Sequence, residues 1–130
     1  MINIDQIMNL IDWNKSAAEQ LKGIKMAEKV ENINVFLRPC NKNYNKNVWE
    51  NCAKILSKRT DEELSPYLME LLEWLQDLNW PGGFCVLERL QKYADDASFN
   101  LALETSFKYA KALEDDVWNN NLSMLKKEKC

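Results

Sequence analysis

The chain is predicted to be all-α, with about seven helices stacked as hairpins in one domain over residues 1–130. Three observations carry that prediction. Apolar residues recur at three- and four-residue spacing through most of the sequence, the period of helices with one buried face. Only 3 Gly and 3 Pro occur in 130 residues, too few for the many tight turns of a β-sandwich. Capping pairs such as Ser16–Glu19 and Thr60–Glu63 stand ahead of apolar runs, where each side chain satisfies an orphan N–H at a helix start.

Taken in order, Ile4, Ile7, Met8 and Ile11 predict a helix over residues 3–12. Ser16 with Glu19 starts a second that runs to about Val30, with Ala17, Leu21, Ile24 and Ala27 inward. Gly23 inside it costs about 1 kcal/mol against Ala, so it marks either a close helix contact or a weak point. Residues 33–38 have the only strand-like content. Lacking a partner strand, they read as extended chain or as a helix end packed by Phe36, with Pro39 and a polar loop over Asn41 to Asn47 beyond. Asn47 with Glu50 reads as the cap of a helix carrying Val48, Trp49, Cys52, Ala53, Ile55 and Leu56.

Thr60 with Glu63 opens the next helix, whose stripe is Leu64, Tyr67, Leu68, Leu71, Leu72, Leu75 and Leu78. Pro66 falls in its first turn, where a missing N–H costs little. Asn79-Trp80-Pro81 stops that helix, and Pro81 restarts the chain through Phe84, Val86, Leu87, Leu90 and Ala94. Asp95 and Asp96 cap a helix with Leu103, Phe107, Ala110 and Leu113 inward. Asp115 and Asp116 cap a last one with Val117, Trp118, Leu122 and Leu125. Lys126, Lys127 and Lys129 then suit a helix C-terminus.

The corner Glu73-Trp74-Leu75-Gln76-Asp77-Leu78-Asn79-Trp80-Pro81 is the most specified stretch of the chain. Within it Asp77 and Asn79 are expected to act as hydrogen-bonding and capping groups between two tryptophans. Followed by an apolar helix, the corner looks like the turn inside a HEAT-type unit, which favours a HEAT-like stack over a closed four-helix bundle. The run from Leu71 to Pro81 resembles the signature of a small bacterial family of domains of unknown function. Its members share a Leu-Leu-Glu-Trp-aliphatic-Gln-Asp-x-Asn-Trp-Pro core and often a later Asp-x-x-Trp, here Asp115-x-x-Trp118. Trp49 to Ala53 and Thr60 to Leu64 look similar to clostridial members. The resemblance covers roughly residues 35–125. It implies an all-α, HEAT-like fold and brings no established activity. Gly82-Gly83, where many relatives place larger residues, sets the rigidity of the corner against expectation.

Several chemistries find no support. With no histidine in the chain, the commonest general base and the Ser/His and Cys/His nucleophile systems are missing. Cys40, Cys52, Cys85 and Cys130 are too widely spaced for a C-x-x-C pair, so no zinc site is expected. Cys52 and Cys85 read as buried small hydrophobes. There is no Gly-rich phosphate loop. A net charge of −3 argues against a nucleic-acid face. No apolar run is long enough to span a bilayer and no leader pattern opens the chain, so no membrane partner and a reducing cytoplasm are expected. No cofactor, metal or catalytic residue is assigned, and the chain is read as non-enzymatic.

Charge gives the remaining lead. No basic residue lies between Arg59 and Arg89, whereas Asp61, Glu62, Glu63, Glu70, Glu73, Asp77 and Glu88 do. Glu70, Glu73 and Asp77 share one helix face. The leading expectation is a protein-interaction module that meets a basic partner through this acidic surface, with Trp74 and Trp80 as anchors beside it. Its sharper form is immunity-like, neutralising a basic toxin or enzyme. The alternative is a carboxylate-dependent metal-binding enzyme built on Glu70, Glu73 and Asp77. The plain reading is a solvated face opposite the leucine stripe, with Asp77 structural and all five tryptophans in core or corner packing.

Overall fold

The computed structural model describes residues 3–38 and 44–126, and among these all regular structure is helical. The α-helices are α1 Ile4–Leu10, α2 Ala17–Ala27, α3 Trp49–Ser57, α4 Asp61–Leu64, α5 Leu68–Glu73, α6 Gly83–Gln91, α7 Ala97–Ala112 and α8 Asp116–Ser123. A tight 3-10 turn at Ser65–Tyr67 joins α4 to α5 end to end, and a second at Trp74–Gln76 extends α5. One rod over 61–76 results, and the described residues form seven rods, as the periodicity predicts.

The capping signals act where they were read. Ser16 and Thr60 each form a full capping box with Glu19 and Glu63. Asp96 accepts from the Phe99 N–H at 2.8 Å and Asp115 from the Trp118 N–H at 2.9 Å. One start differs. The Asn45 side chain, not that of Asn47, takes the cap, accepting from the Asn47 N–H ahead of a 3-10 turn at Lys46–Val48. Glu50 is thereby released for a distant bond. Pro66 also does more than sit in a first turn: it lies in the 3-10 turn that separates α4 from α5, since its ring opposes α geometry in the turn before it.

Packing joins α1 to α2, α3 to α6, α5 to α7 and α7 to α8. Past the first pair, α3 skips the rod to reach α6 and the rod skips α6 to reach α7. One continuous apolar cluster runs from Ile7 to Leu125, with Phe36, Leu72, Trp74 and Phe99 fully buried. Gly23 admits the close contact: a Cβ there would lie 2.7 Å from Ile11 Cγ2 and 2.8 Å from Leu10 Cβ. The 33–36 segment is a 3-10 turn that buries Phe36 against α3.

Buried polar groups fasten the rods to one another. Arg59 donates to the carbonyls of Ala27 and Val30, each at 2.8 Å, closing the end of α2. Arg89 bridges Asp61 at 2.6 Å. Asn51 donates to the Ile11 carbonyl at 2.8 Å and to Gln20 at 2.9 Å. Such bonds matter because an unpaired buried polar group costs about 1–3 kcal/mol.

Several apolar residues assigned inward face solvent instead: Trp13, Ala17, Leu21, Phe84, Ala94, Leu113 and Val117. Periodicity locates a helix's apolar side but not how much of it a neighbour covers. Leu113 and Val117 flank the turn at Glu114, where the chain leaves α7, and Leu21 lies on a side of α2 that no other rod covers. Cys52 is buried, while Cys85 is half-buried against the Ser57 hydroxyl. Pro39, Cys40, the Asn41–Asn43 part of the polar loop, Lys127, Lys129 and Cys130 lie outside the described residues.

Candidate functional site, the acidic rod and its tryptophan corner

The rod ends because its backbone leaves the helical region at Asp77, with φ −145° and ψ 105°. The Asp77 carboxylate then accepts the Asn79 N–H at 2.8 Å, an Asx turn. Two backbone turns follow, Trp80 N–H to the Asp77 carbonyl and Gly83 N–H to the Trp80 carbonyl. The chain re-enters a helix through Gly82 at φ +85°, not through Pro81 as predicted. A Cβ on Gly82 would meet Ala53 Cβ at 2.7 Å, and the Trp49 carbonyl and Trp74 Cζ2 at 3.0 Å. The glycines therefore fix the corner, where the sequence suggested that they loosen it.

Three tryptophans build the wall behind this turn. The Trp74 indole N–H donates to the Pro81 carbonyl at 3.1 Å, tying the end of the rod to the start of α6. Trp49 meets both rings edge-on, with centroids 6.2 Å from Trp74 and 5.8 Å from Trp80, the favoured geometry for aromatic pairs. Lys46 lies over the Trp49 ring at 5.6 Å. Glu50 closes the assembly by accepting the Gly82 N–H at 2.6 Å. The sequence reading missed Glu50 and the need for Gly82, since nothing local to them announces a partner 32 residues away, and it missed Lys46 because a lysine over a nearby ring has no sequence signature.

Trp118 supplies the other half of the two-part motif. Its indole N–H donates to the Leu72 carbonyl at 3.1 Å, and Asn121 donates to the Leu75 carbonyl at 2.7 Å. The Asp115-x-x-Trp118 element thus lands on the rod that carries the first part of the motif. Asp115 aims it by capping α8.

The proposed anchors and acids separate in space and role. Trp74 is fully buried and has no ring face to offer a partner, which corrects its place among the anchors. Trp80 is partly exposed, Asn79 exposed and Asp77 partly exposed but committed to the Asx turn. Asp61 and Glu63 are held by Arg89 and Arg59, and Glu63 sits below the ordinary carboxylate range because of the Arg59 bond first and the Thr60 N–H second. Glu70 and Glu73 remain. Glu70 Oε2 is buried without a hydrogen-bond partner. Burial first, and the Glu70 charge second, push the Glu73 carboxyl above its ordinary value.

Among the described residues, no three Cys, Asp or Glu side chains come together as metal ligands. Open hollows of about 740 and 700 Å³ lie against α7 and α8 and against α2, and neither is lined by Glu70, Glu73 or Asp77. No helix among the described residues is long and apolar enough to cross a membrane.

A family model described as "Domain of unknown function (DUF5071)" matches residues 45–128. That span holds the rod, the corner and α8, and it bears out the resemblance to a family of that kind. No curated protein and no solved structure matches the chain.

Proposed function

The chain belongs to the DUF5071 family of domains of unknown function, and we propose that it is a non-catalytic binding module for a basic protein partner. The contact is the rod face bearing Glu70 and Glu73, with Trp80 at its edge. One observation carries the reading: Glu70 Oε2 is buried without a donor beside a second carboxylate whose pKa is raised. Such a pair stores repulsion and desolvation that an incoming Lys or Arg relieves. Two other acids of the stretch, Asp61 and Glu63, already have arginines. A basic toxin or enzyme neutralised by this face is the sharpest case of such a partner.

The test compares wild type with the Glu70→Gln/Glu73→Gln double variant, both checked for folding by circular dichroism. Wild type immobilised in extract from its own source should retain a protein of high isoelectric point that elutes as salt rises. The variant should lose it. Equal retention by both proteins would remove this face from the interaction.

A further inference from the structure

The long helix α7 leaves one apolar side uncovered. Leu101 is 66%, Tyr109 55% and Leu113 67% exposed. Leu101, Thr105 and Tyr109 follow at four-residue spacing, and Ala112 and Leu113 continue the line, so these positions form one stripe. The Thr105 hydroxyl bonds back to the Leu101 carbonyl at 2.8 Å, so it asks nothing polar of whatever covers it. Three large exposed apolar side chains in a row on one helix invite a cover.

We propose that the cover is a second copy of the chain, with α7 packed antiparallel on α7 about a two-fold axis beside Phe107. The sequence around Phe107 is self-complementary. Six residues before it stands Leu101 and six after it Leu113; two before and after stand Thr105 and Tyr109. The axis sets leucine against leucine at each end of the contact. At the centre it sets the large Tyr109 ring against the small Thr105, the alternation that lets facing layers interdigitate.

Charge supports the same register. Glu104, Lys108 and Lys111 lie along one edge of the stripe, and in an isologous antiparallel pair each edge meets the same edge of the copy. Glu104 of one chain then stands near Lys108 and Lys111 of the other. None of the three makes an ion pair within the chain among the described residues, so all are available. A stripe one helix long is at the small end of specific interfaces, which places the dissociation constant on the order of 10–100 μM. This proposal is independent of the acidic rod.

Sedimentation equilibrium of the full chain, from about 1 to about 500 μM, tests it. The mass should rise from monomer to dimer across that range. Leu101→Glu should weaken association at least about tenfold, and Lys108→Glu alone should weaken it about threefold. Combining Glu104→Lys with Lys108→Glu and Lys111→Glu should recover the wild-type value within about twofold, because the two-fold pairs the exchanged charges again. A monomer throughout overturns the proposal and leaves the stripe to another protein. A dimer indifferent to Leu101→Glu also overturns it, placing the contact on another face. Failure of the triple exchange to recover overturns the antiparallel register.

Discussion

At the scale of single residues, the corner and the carboxylate pair make opposite demands. Gly82 needs both a left-handed backbone and the space a Cβ would fill. Gly82→Ala therefore combines backbone strain with overpacking and should destabilise by about 2–4 kcal/mol, read from denaturant unfolding followed by tryptophan fluorescence. Glu70→Gln should do the reverse. The Glu73 pKa is raised in the folded state, so the fold holds that proton more tightly than the unfolded chain does. Its favourable contribution is present below the ordinary carboxylate range and is lost as pH rises through the raised pKa. Removing the Glu70 charge should therefore gain about 0.3 kcal/mol at neutral pH, the size of an i, i+3 like-charge repulsion. The gain should vanish where both carboxyls are protonated. Unfolding curves at neutral pH and below the carboxylate range separate the two cases.

At the scale of elements, the sequence made the helices legible and left their coverage hidden. Ser16, Thr60, Asp96 and Asp115 cap where local chemistry places them, because a cap satisfies N–H groups only two or three residues away. The Gly82–Glu50 bond and the burial of Trp74 depend on residues brought from elsewhere, and no local rule contains them. The candidate site divides the same way. The uninterrupted run of acids was readable, but the capture of Asp61 by Arg89 was not, and it takes Asp61 out of the open face. The end of α7 shows a local rule broken. Glu114 takes φ +55° so that the Asp115 N–H can reach the Ala110 carbonyl at 2.8 Å, a helix stop that ordinarily uses glycine. Glu114→Gly should raise stability by about 1 kcal/mol by removing the left-handed penalty, visible as a higher denaturation midpoint with an unchanged denaturant slope.

For the whole molecule, Cys52 reports on cooperativity. It is fully buried where α3 meets the rest of the core, and burial pushes its thiol up to about 12, with Arg38 nearby offsetting part of that rise. A thiol that neither ionises nor reaches solvent reacts only when the fold opens. Peptide mapping after alkylation under native conditions should find Cys52 unmodified. Its labelling rate in rising denaturant should then follow global unfolding. Rapid native labelling at Cys52 would mean that α3 opens on its own.

The bonds from Trp118 and Asn121 to Leu72 and Leu75 each span 46 residues of sequence. The Leu72 carbonyl also takes a backbone N–H in the last turn of the rod, but the Leu75 carbonyl lies beyond it, where a helix has no later N–H of its own to offer. A nascent chain emerges N-terminus first, so rod and corner leave the ribosome well before the donors that complete them. Until α8 arrives, the corner carries at Leu75 an acceptor that cannot be buried without loss. The last helix therefore completes, from 46 residues away, the hydrogen bonding of a corner made long before it.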